Sequence, residues 1–346
     1  MVAGNDNGVR AGGDELPREA AWWEPEGDQV HCLLCPQDCH IGPWRLGRCR
    51  VRRNLEGALR TVNYARITSA AMDPIEKKPL YHFRPGTQIL SLGTFGCNLG
   101  CRFCQNFTIS QGEPPTQELT PGQAVELAQD ARSRGNIGIA YTYNEPIVWF
   151  EYVRDTAARA RAAGLANVLV TNGLIREGPL EELLPLVDAM NVDIKAMDDE
   201  FYRSLCGISS GAQARRTVEL AFGRCHVEIT NLLVTDANDS EEDVRALVDW
   251  AASVSPDLPL HISRYRPSYK HTAPATPVDR LQRAVEIARA QLNFVYAGNV
   301  MLDGGSDTIC PDCGATGVAR RGYSVSSRLS GTGACGECGR ALNVAL

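Results

Sequence analysis

Three cysteines in one short stretch carry the clearest chemical signal in the sequence. Cys97, Cys101 and Cys104 stand in GCNLGCRFCQN, with three and then two residues between them. Two close cysteines suit a redox pair, and four suit a zinc ion. Three thiolates would leave one iron of a four-iron cluster without a protein ligand, and a catalytic metal needs such an open position. The alternative is a closed site that borrows Cys206 or Cys225 as a fourth thiolate.

A second group of cysteines lies near the C-terminus. It consists of two C-x2-C pairs separated by 21 residues: Cys310, Cys313, Cys335 and Cys338. This spacing is typical of a four-thiolate zinc ribbon, and rubredoxin-type iron sites use similar pairs. We therefore predict a structural zinc or iron site, with four unliganded thiols as the alternative.

A third group lies near the N-terminus and is less regular. It has the spacing C-x2-C-x3-C-x9-C and contains Cys32, Cys35, Cys39 and Cys49. Four thiolates bind zinc or an iron–sulfur cluster, so a second metal or auxiliary cluster is predicted here. His31 or His40 could replace one thiolate, and a module of reduced cysteines is the other interpretation.

Alternating strands and helices must position the three-cysteine loop. From residue 89 onward, apolar strand-like runs alternate with helical patterns, giving about six β/α units and a final short strand. One helix is predicted over residues 121–135, with Thr120 as its N-cap and Gly135 at its end. The pattern predicts an α/β fold with a parallel sheet, as a partial (β/α)6 TIM-like barrel or an open doubly wound sheet.

Polar residues follow the strands at their C-terminal ends, where such folds place their sites. The loop with the three cysteines follows the first strand, so all these groups are expected at one mouth. Buried charges without partners are costly, so a core role explains them poorly. They are Thr142, Asn144, Glu145, Thr171, Asn172, Asp193, Lys195, His261, Ser263 and Arg264.

The cysteine groups and the composition suggest four parts of the chain. We predict a disordered leader over residues 1–27, an N-terminal Cys-rich module over 28–85, a core domain over 86–303 and a C-terminal rubredoxin-like or zinc-ribbon module over 304–346.

Charge and hydropathy restrict the partners and the compartment. The net charge of -6 does not favour nucleic acid or an anionic membrane as the main partner. The sequence lacks an apolar run of about 18 residues and the apolar stretch of a secretory signal. We therefore expect a cytoplasmic protein, whose thirteen cysteines serve metal binding or redox chemistry rather than disulfides.

The motifs together resemble the radical SAM superfamily. The resemblance covers roughly residues 30–340. In detail, the sequence is similar to the radical SAM enzyme of the AmmeMemoRadiSam system, a group close to pyruvate formate-lyase activating enzymes. The segments that carry it are MDPIEKKPLYHFRPGTQILSLGTFGCNLGCRFCQNFTISQ, AYTYNEPIVWFEY, VTNG, MNVDIKA, FYRSLCG, EITNLLV, PLHISRYRP and FVYAGNV.

The resemblance implies roles for individual residues. It implies that Cys97, Cys101 and Cys104 bind a [4Fe–4S] cluster and that other residues bind S-adenosylmethionine. Those residues are Phe103 near adenine, Glu145 with Asn144 at the methionine ammonium, Asn172 near methionine or ribose, Asp193 and Lys195 at ribose or carboxylate, and His261 at the edge of the pocket. Alternatively, Asp193 and Lys195 simply pair with each other.

The resemblance also implies an oxidoreductase activity. The reduced cluster would cleave S-adenosylmethionine to a 5′-deoxyadenosyl radical, which abstracts hydrogen from an unknown substrate. That substrate is a partner protein that receives a glycyl radical, or a protein side chain, RNA or metabolite to be modified. The expected electron donor is a flavodoxin or ferredoxin. The competing hypothesis is a non-catalytic zinc-ribbon binding protein on a degenerate barrel.

Overall fold

Short antiparallel strands form the N-terminal part of the computed structural model, which describes residues 17–302 and 304–346. The strands are β1 (Trp23–Glu26), β2 (Gln29–Cys32), β3 (His40–Ile41), β4 (Arg52–Leu55), β5 (Ala58–Thr61) and β6 (Arg66–Ile67). Strands β1, β2 and β3 form one sheet and β4 pairs with β5. Residues 1–16 of the predicted leader lie outside the described residues. The leader prediction is wrong for residues 23–26, because they pair with β2.

An eight-stranded sheet forms the centre of the molecule. Its strands are β7 (Ser69–Pro74), β8 (Gln88–Gly93), β10 (Asn136–Tyr141), β11 (Ala166–Thr171), β12 (Ala189–Asp193), β13 (His226–Leu233), β14 (Leu260–Arg264) and β15 (Val295–Gly298), while the short β9 (Gln117–Glu118) pairs with β6. The spatial order is β15-β14-β13-β12-β11-β10-β8-β7. Every strand of this sheet except β7 runs parallel to its neighbours, which confirms the predicted parallel α/β sheet. Its closure into a partial (β/α)6 barrel stays a prediction.

Strand β7 adds an antiparallel edge that the sequence did not suggest. It pairs with β8 along six residues, from Ser69 opposite Gly93 to Pro74 opposite Gln88. This strand falls inside the range 28–85 assigned to the N-terminal module. The central sheet therefore begins about one strand earlier than the predicted domain boundary.

Helices connect the parallel strands. They are α1 (Phe107–Ser110), α2 (Pro121–Asp130), α3 (Phe150–Ala162), α4 (Glu177–Leu183), α5 (Asp199–Phe201), α6 (Ala212–Ala221), α7 (Glu241–Val254) and α8 (Val278–Arg289). Helix α2 starts as predicted, because the Thr120 hydroxyl accepts from the backbone N–H of Gln123 and the Gln123 side chain bonds back. Gly135 ends the following helical turn with φ of 84°. None of the helices in the described residues is long and apolar enough to span a bilayer.

The segment between β7 and β8 covers one face of the sheet at the start of its strands. Ile75, Leu80 and Phe83 pack there against a buried apolar cluster formed by Ile89, Ala140, Ala166, Val168 and Ala189. Side chains alternate between the two faces of a strand, so the opposite face packs against the helices. The segment therefore supports the sheet at the N-terminal ends of its strands, which are remote from the three-cysteine loop.

The C-terminal module holds this segment in place. Its strands β16 (Thr308–Ile309), β17 (Thr316–Arg321) and β18 (Ser324–Ser327) form an antiparallel sheet. His82 Nδ1 lies 2.8 Å from the Leu342 carbonyl oxygen, and Arg84 N donates to the Ala345 carbonyl at 2.7 Å. Arg320 Nη2 donates to the Tyr81 carbonyl at 2.6 Å.

A buried ion pair joins the N-terminal part to helix α3, and its disruption is testable. Arg52 and Glu151 have side-chain exposures of 1% and 2%, and Glu151 also accepts from the Ala21 N–H at 2.8 Å. Arg52→Met would leave a buried carboxylate without its cation, so the free energy of unfolding should fall by about 3–5 kcal/mol in urea denaturation. Arg52→Met combined with Glu151→Leu should recover much of this loss; an equal loss in both variants would contradict the role of the pair.

Candidate metal and cofactor site

The three-cysteine loop lies at the C-terminal end of β8 and runs over residues 94–106 without regular secondary structure. Its hydrogen bonds therefore go to neighbouring segments. Gly96 N donates to the Ile109 carbonyl at 3.0 Å. The Asn144 side chain donates to the Gly96 carbonyl at 2.9 Å and accepts from Thr94 N at 3.1 Å. The family resemblance assigns Asn144 to cofactor binding. In the structure, its side chain holds the start of the loop in place through these two hydrogen bonds.

The spacing of the loop thiols differs from that of a single-ion site. Sets of ligand atoms within 4.8 Å of one another occur elsewhere in the described residues, but Cys97, Cys101 and Cys104 do not form such a set. Thiolates around one zinc must lie close together, at about 3.8 Å for tetrahedral bonds of about 2.3 Å. Thiolates that bind different irons of a cluster stand farther apart. The three residues therefore fit a multi-iron cluster better than one metal ion.

Cys206 lies against the loop, which the sequence did not indicate. Gly100 N donates to the Cys206 carbonyl and Arg102 N to the Leu205 carbonyl, both at 2.8 Å. Cys206 is fully buried. Interaction with the neighbouring Cys206 thiol lowers the pKa of the Cys101 thiol. Among the expectations from the sequence, Cys206 figures only as an alternative fourth thiolate; its place in FYRSLCG, after Asp193 and Lys195, was the available signal.

The two candidate fourth thiolates are placed differently. Cys225 hydrogen-bonds the Ala221 carbonyl at the end of α6, at 3.9 Å. Cys206 touches Cys101, yet within residues 17–302 and 304–346 it does not complete a compact four-thiol set with the loop. The geometry therefore does not favour a closed single-ion site at the loop.

Glu145 is a buried carboxylate whose described partners are all neutral. Thr171 Oγ1 donates to it at 2.6 Å, Asn172 N at 2.8 Å and Ile147 N at 3.1 Å. Burial raises the pKa of Glu145 to about 7 despite these bonds. A carboxylate that is held by donors but lacks a cation fits a site for a ligand ammonium group.

Asn172 connects Glu145 to the cysteine loop. Besides its backbone bond to Glu145, its side chain donates to Asn98 Oδ1 at 2.8 Å and lies 4.0 Å from Cys97 Sγ. Phe103 is buried within the loop, with its ring centroid 5.7 Å from that of Phe201. The structure thus brings Asn172 and Glu145 together beside Cys97.

Asp193 and Lys195 pair with each other, as the alternative interpretation anticipated. Lys195 Nζ lies 3.3 Å from Asp193 Oδ2, and the Asp193 side chain is 39% exposed. Burial acts against the Lys195 charge, but Asp193 and Cys101 outweigh it and raise the pKa of Lys195. Because Lys195 is electrostatically coupled to Cys101, the pair lies near the loop and can still contact a ligand.

His261 lies in a different environment from the other predicted residues. It is buried, and its Nε2 is 2.6 Å from Glu228 Oε2. The rings of Tyr81 and Tyr296 lie 4.7 and 5.1 Å from its ring. Its described contacts are therefore with Glu228 of β13, Tyr296 of β15 and Tyr81 of the segment that covers the sheet, and not with the cysteine loop.

The four C-terminal thiols form a compact set. All four sulfur atoms lie within 4.8 Å of one another. Cys310 and Cys338 are 3.6 Å apart, as are Cys313 and Cys335. These distances match tetrahedral thiolate coordination of one metal ion. The structure therefore supports a metal site in the C-terminal ribbon, and it leaves zinc and iron open.

The four N-terminal cysteines line one small cavity together with apolar side chains and Arg52. Arg52 Nη1 lies 3.9 Å from Cys32 Sγ. His31 and His40 are not part of the cavity lining; their rings stack 4.2 Å apart. Each ring also pairs with a carboxylate, His31 with Asp38 at 2.7 Å and His40 with Glu26 at 2.5 Å. A histidine replacing a thiolate is therefore not favoured.

The raised pKa of Glu145 predicts a specific pH dependence of stability. A folded pKa of about 7, above the usual 4.5, means that stability present below pH 4.5 is lost as the pH rises through 7. The free energy of unfolding of the cofactor-free protein, relative to Glu145→Gln, should fall by up to about 3 kcal/mol across this window. Glu126→Gln, at an exposed position of α2, controls for the substitution in denaturant titrations, and a pH-independent difference for Glu145→Gln would contradict the prediction.

Comparison with known proteins agrees with this geometry. Residues 91–251 match the radical SAM superfamily. An uncharacterized protein of Methanocaldococcus jannaschii is 40% identical over 95% of this chain and all of that protein. The pyruvate formate-lyase 1-activating enzyme of Escherichia coli is 25% identical over 51% of this chain and 73% of the enzyme.

A solved structure shows the same fold. The structure of Streptococcus suis SuiB bound to S-adenosylmethionine aligns over 61% of this chain and 52% of SuiB, with a TM-score of 0.50 and 16% identity. The match of residues 91–251, which include the cysteine loop, shows that the chain belongs to the radical SAM superfamily.

Proposed function

We propose that this protein generates a carbon-centred radical at the C-terminal ends of its parallel strands, and that this radical reacts with a substrate. Cys97, Cys101 and Cys104 would hold a [4Fe–4S] cluster, and S-adenosylmethionine would bind beside it. The reduced cluster would supply one electron to the sulfonium of S-adenosylmethionine, which would break into methionine and a 5′-deoxyadenosyl radical, and that radical would take hydrogen from a substrate.

The environment of Glu145 is the observation that supports this proposal most directly. It is a buried carboxylate bonded to neutral donors, and Asn172 links it to Asn98 in the cysteine loop. A ligand that binds here needs a cationic group for Glu145 and a position close to Cys97. The amino group of S-adenosylmethionine meets both conditions. Lys195 and the half-exposed Asp193 would bind its carboxylate and a ribose hydroxyl.

The relatives support one substrate class over the others. The Escherichia coli relative is named as an activating enzyme for pyruvate formate-lyase, so we infer an activating role on a partner protein, with a flavodoxin or ferredoxin as electron donor. Hydrogen abstraction from a different protein side chain, an RNA or a metabolite would use the same residues.

An anaerobic cleavage assay tests the proposed chemistry. The reconstituted and reduced protein, given S-adenosylmethionine, should form 5′-deoxyadenosine, which chromatography detects. Replacement of Cys97, Cys101 and Cys104 by alanine should abolish its formation, while Cys225→Ala should leave it unchanged. Failure of the cluster-loaded protein to form 5′-deoxyadenosine would refute the proposal and favour a zinc-ribbon binding protein.

The terminal cysteine groups would serve structural metal sites. The compact C-terminal set should retain about one zinc or iron per chain, measured by elemental analysis, because a closed thiolate site binds metal tightly. Cys313→Ser should remove that metal and lower the melting temperature, whereas the exposed Ser326→Ala in the same module should not. Unchanged metal content in Cys313→Ser would show that the four thiols are not the ligands.

A further inference from the structure

We propose that the N-terminal cysteine module is a clamp for the cluster loop, with Gln37, Arg48 and Arg50 as its positioning residues. This inference rests on the proposed function, because it assigns these residues to the retention and alignment of the cluster. Each of them stands within two positions of an N-terminal cysteine.

The clamp is needed because the loop has little support of its own. Residues 94–106 contain no regular secondary structure, and an irregular segment loses its order readily unless other segments fix it. Three thiolates that bind one cluster must nevertheless keep fixed relative positions. Contacts from outside the loop therefore determine whether it is arranged for the cluster before the cluster binds.

Gln37 holds the middle of the loop. Its side-chain amide donates to the Asn98 carbonyl at 2.6 Å and to the Gly207 carbonyl at 3.2 Å. It therefore ties the residue after Cys97 to the residue after Cys206. Gln37 itself lies between Cys35 and Cys39, so its position depends on the N-terminal thiols.

Arg48 packs between two glycines of these same segments. A Cβ atom at Gly100 would lie 3.0 Å from Arg48 Nη2, and one at Gly207, where φ is +76°, would lie 2.5 Å from it. A side chain at either position would displace the guanidinium, and the positive φ of Gly207 independently favours glycine there. The side chain of Arg48 is exposed overall, and its guanidinium lies between the loop and the turn that carries Cys206.

Arg50 fixes the end of the loop. Its guanidinium donates to the Gln111 carbonyl at 2.7 Å and to the Ser110 carbonyl. Ser110 Oγ in turn lies 3.2 Å from Cys104 Sγ, and Gln111 Nε2 donates to the Leu99 carbonyl at 2.9 Å. Arg50 therefore supports Cys104 through Ser110, the last residue of helix α1. It supports the middle of the loop through Gln111, the residue that follows this helix.

The backbone next to Cys49 supports the start of the loop. A Cβ atom at Gly96, where φ is +87°, would lie 2.6 Å from the Cys49 carbonyl oxygen and 2.6 Å from Val51 Cγ1. Contacts from residues 37–51 thus reach the loop before Cys97 and between its cysteines, and they reach helix α1, which follows the loop. A module that only covered the surface would not need contacts at all three places.

Arg50→Met tests the clamp, with Arg53→Met as the matched control. Arg53 lies in the same segment and donates to the Trp44 carbonyl at 3.1 Å, within the N-terminal module. In anaerobically reconstituted protein, a ferrous chelator should remove loop iron from Arg50→Met about tenfold faster than from wild type, since the supports of metal ligands typically change affinity by this factor or more. Arg53→Met should lose iron at the wild-type rate.

Spectroscopy separates positioning from general stability. The electron paramagnetic resonance signal of the reduced cluster, and its change when S-adenosylmethionine is added, should be altered in Arg50→Met even where the melting temperature is unchanged. Arg50→Lys retains one donor group and should give an intermediate rate, which decides the outcome if Arg50→Met fails to fold. The clamp would be overturned if Arg50→Met released iron at the same rate as Arg53→Met and gave the same spectra. Arg50→Lys takes the place of Arg50→Met in this comparison if the latter fails to fold.

The alanine variant of the three loop cysteines keeps the two proposals distinguishable. Iron that remains in this variant belongs to other sites and is subtracted from each measurement. If the variant binds as much iron as wild type, the proposed function fails. If loop iron is present but leaves at the same rate in the clamp and control variants, only the clamp fails.

Discussion

The need to hold three thiolates in fixed positions on an irregular loop determines how the rest of the structure is arranged. The parallel sheet supplies the location, since β8 ends where the loop begins and the neighbouring strands end at the same edge. The sheet does not supply the shape of the loop. Asn144 fastens its base, and Asn172 contacts its first turn. The carbonyls of Cys206 and Leu205, in the helical turn after α5, accept from Gly100 N and Arg102 N respectively. The ordered loop is therefore a product of tertiary contacts from several distant segments.

Two charged groups lie near the cysteine loop: Glu145, whose described partners are neutral, and Lys195, which pairs with Asp193. Glu145 is buried among neutral donors, and burial raises the pKa of its carboxyl. Lys195 carries its charge next to Cys101 and Asp193, which favour the protonated amine. An anionic group and a cationic group thus flank the loop, so a zwitterionic ligand matches the site better than one with a single charge. The amino acid part of S-adenosylmethionine has this character.

The regular part of the fold followed from the sequence because it depends on local patterns. Alternating apolar strands and capped helices are short-range signals, and the Thr120 cap and Gly135 stop are read directly from neighbouring residues. The thiol groups could also be predicted, since ligand spacing is local. Strand β7, the contact of Cys206 with Cys101 and the placement of His261 beside Glu228 could not. Each depends on which distant segment packs against a residue, and a single sequence contains no pattern for that.

The two terminal modules contact opposite ends of the strands, so a loss of order in each would have different consequences. The C-terminal module bonds to Tyr81, His82 and Arg84, in the segment that covers the start of the strands. The N-terminal module contacts the loop at the end of the strands through Gln37, Arg48 and Arg50. Loss of the C-terminal metal would first loosen the support of the sheet, far from the thiolates. Loss of order around the N-terminal cysteines would act directly on the cluster loop. The chemistry at the mouth therefore depends more closely on the N-terminal module, although its four thiols are the less compact set.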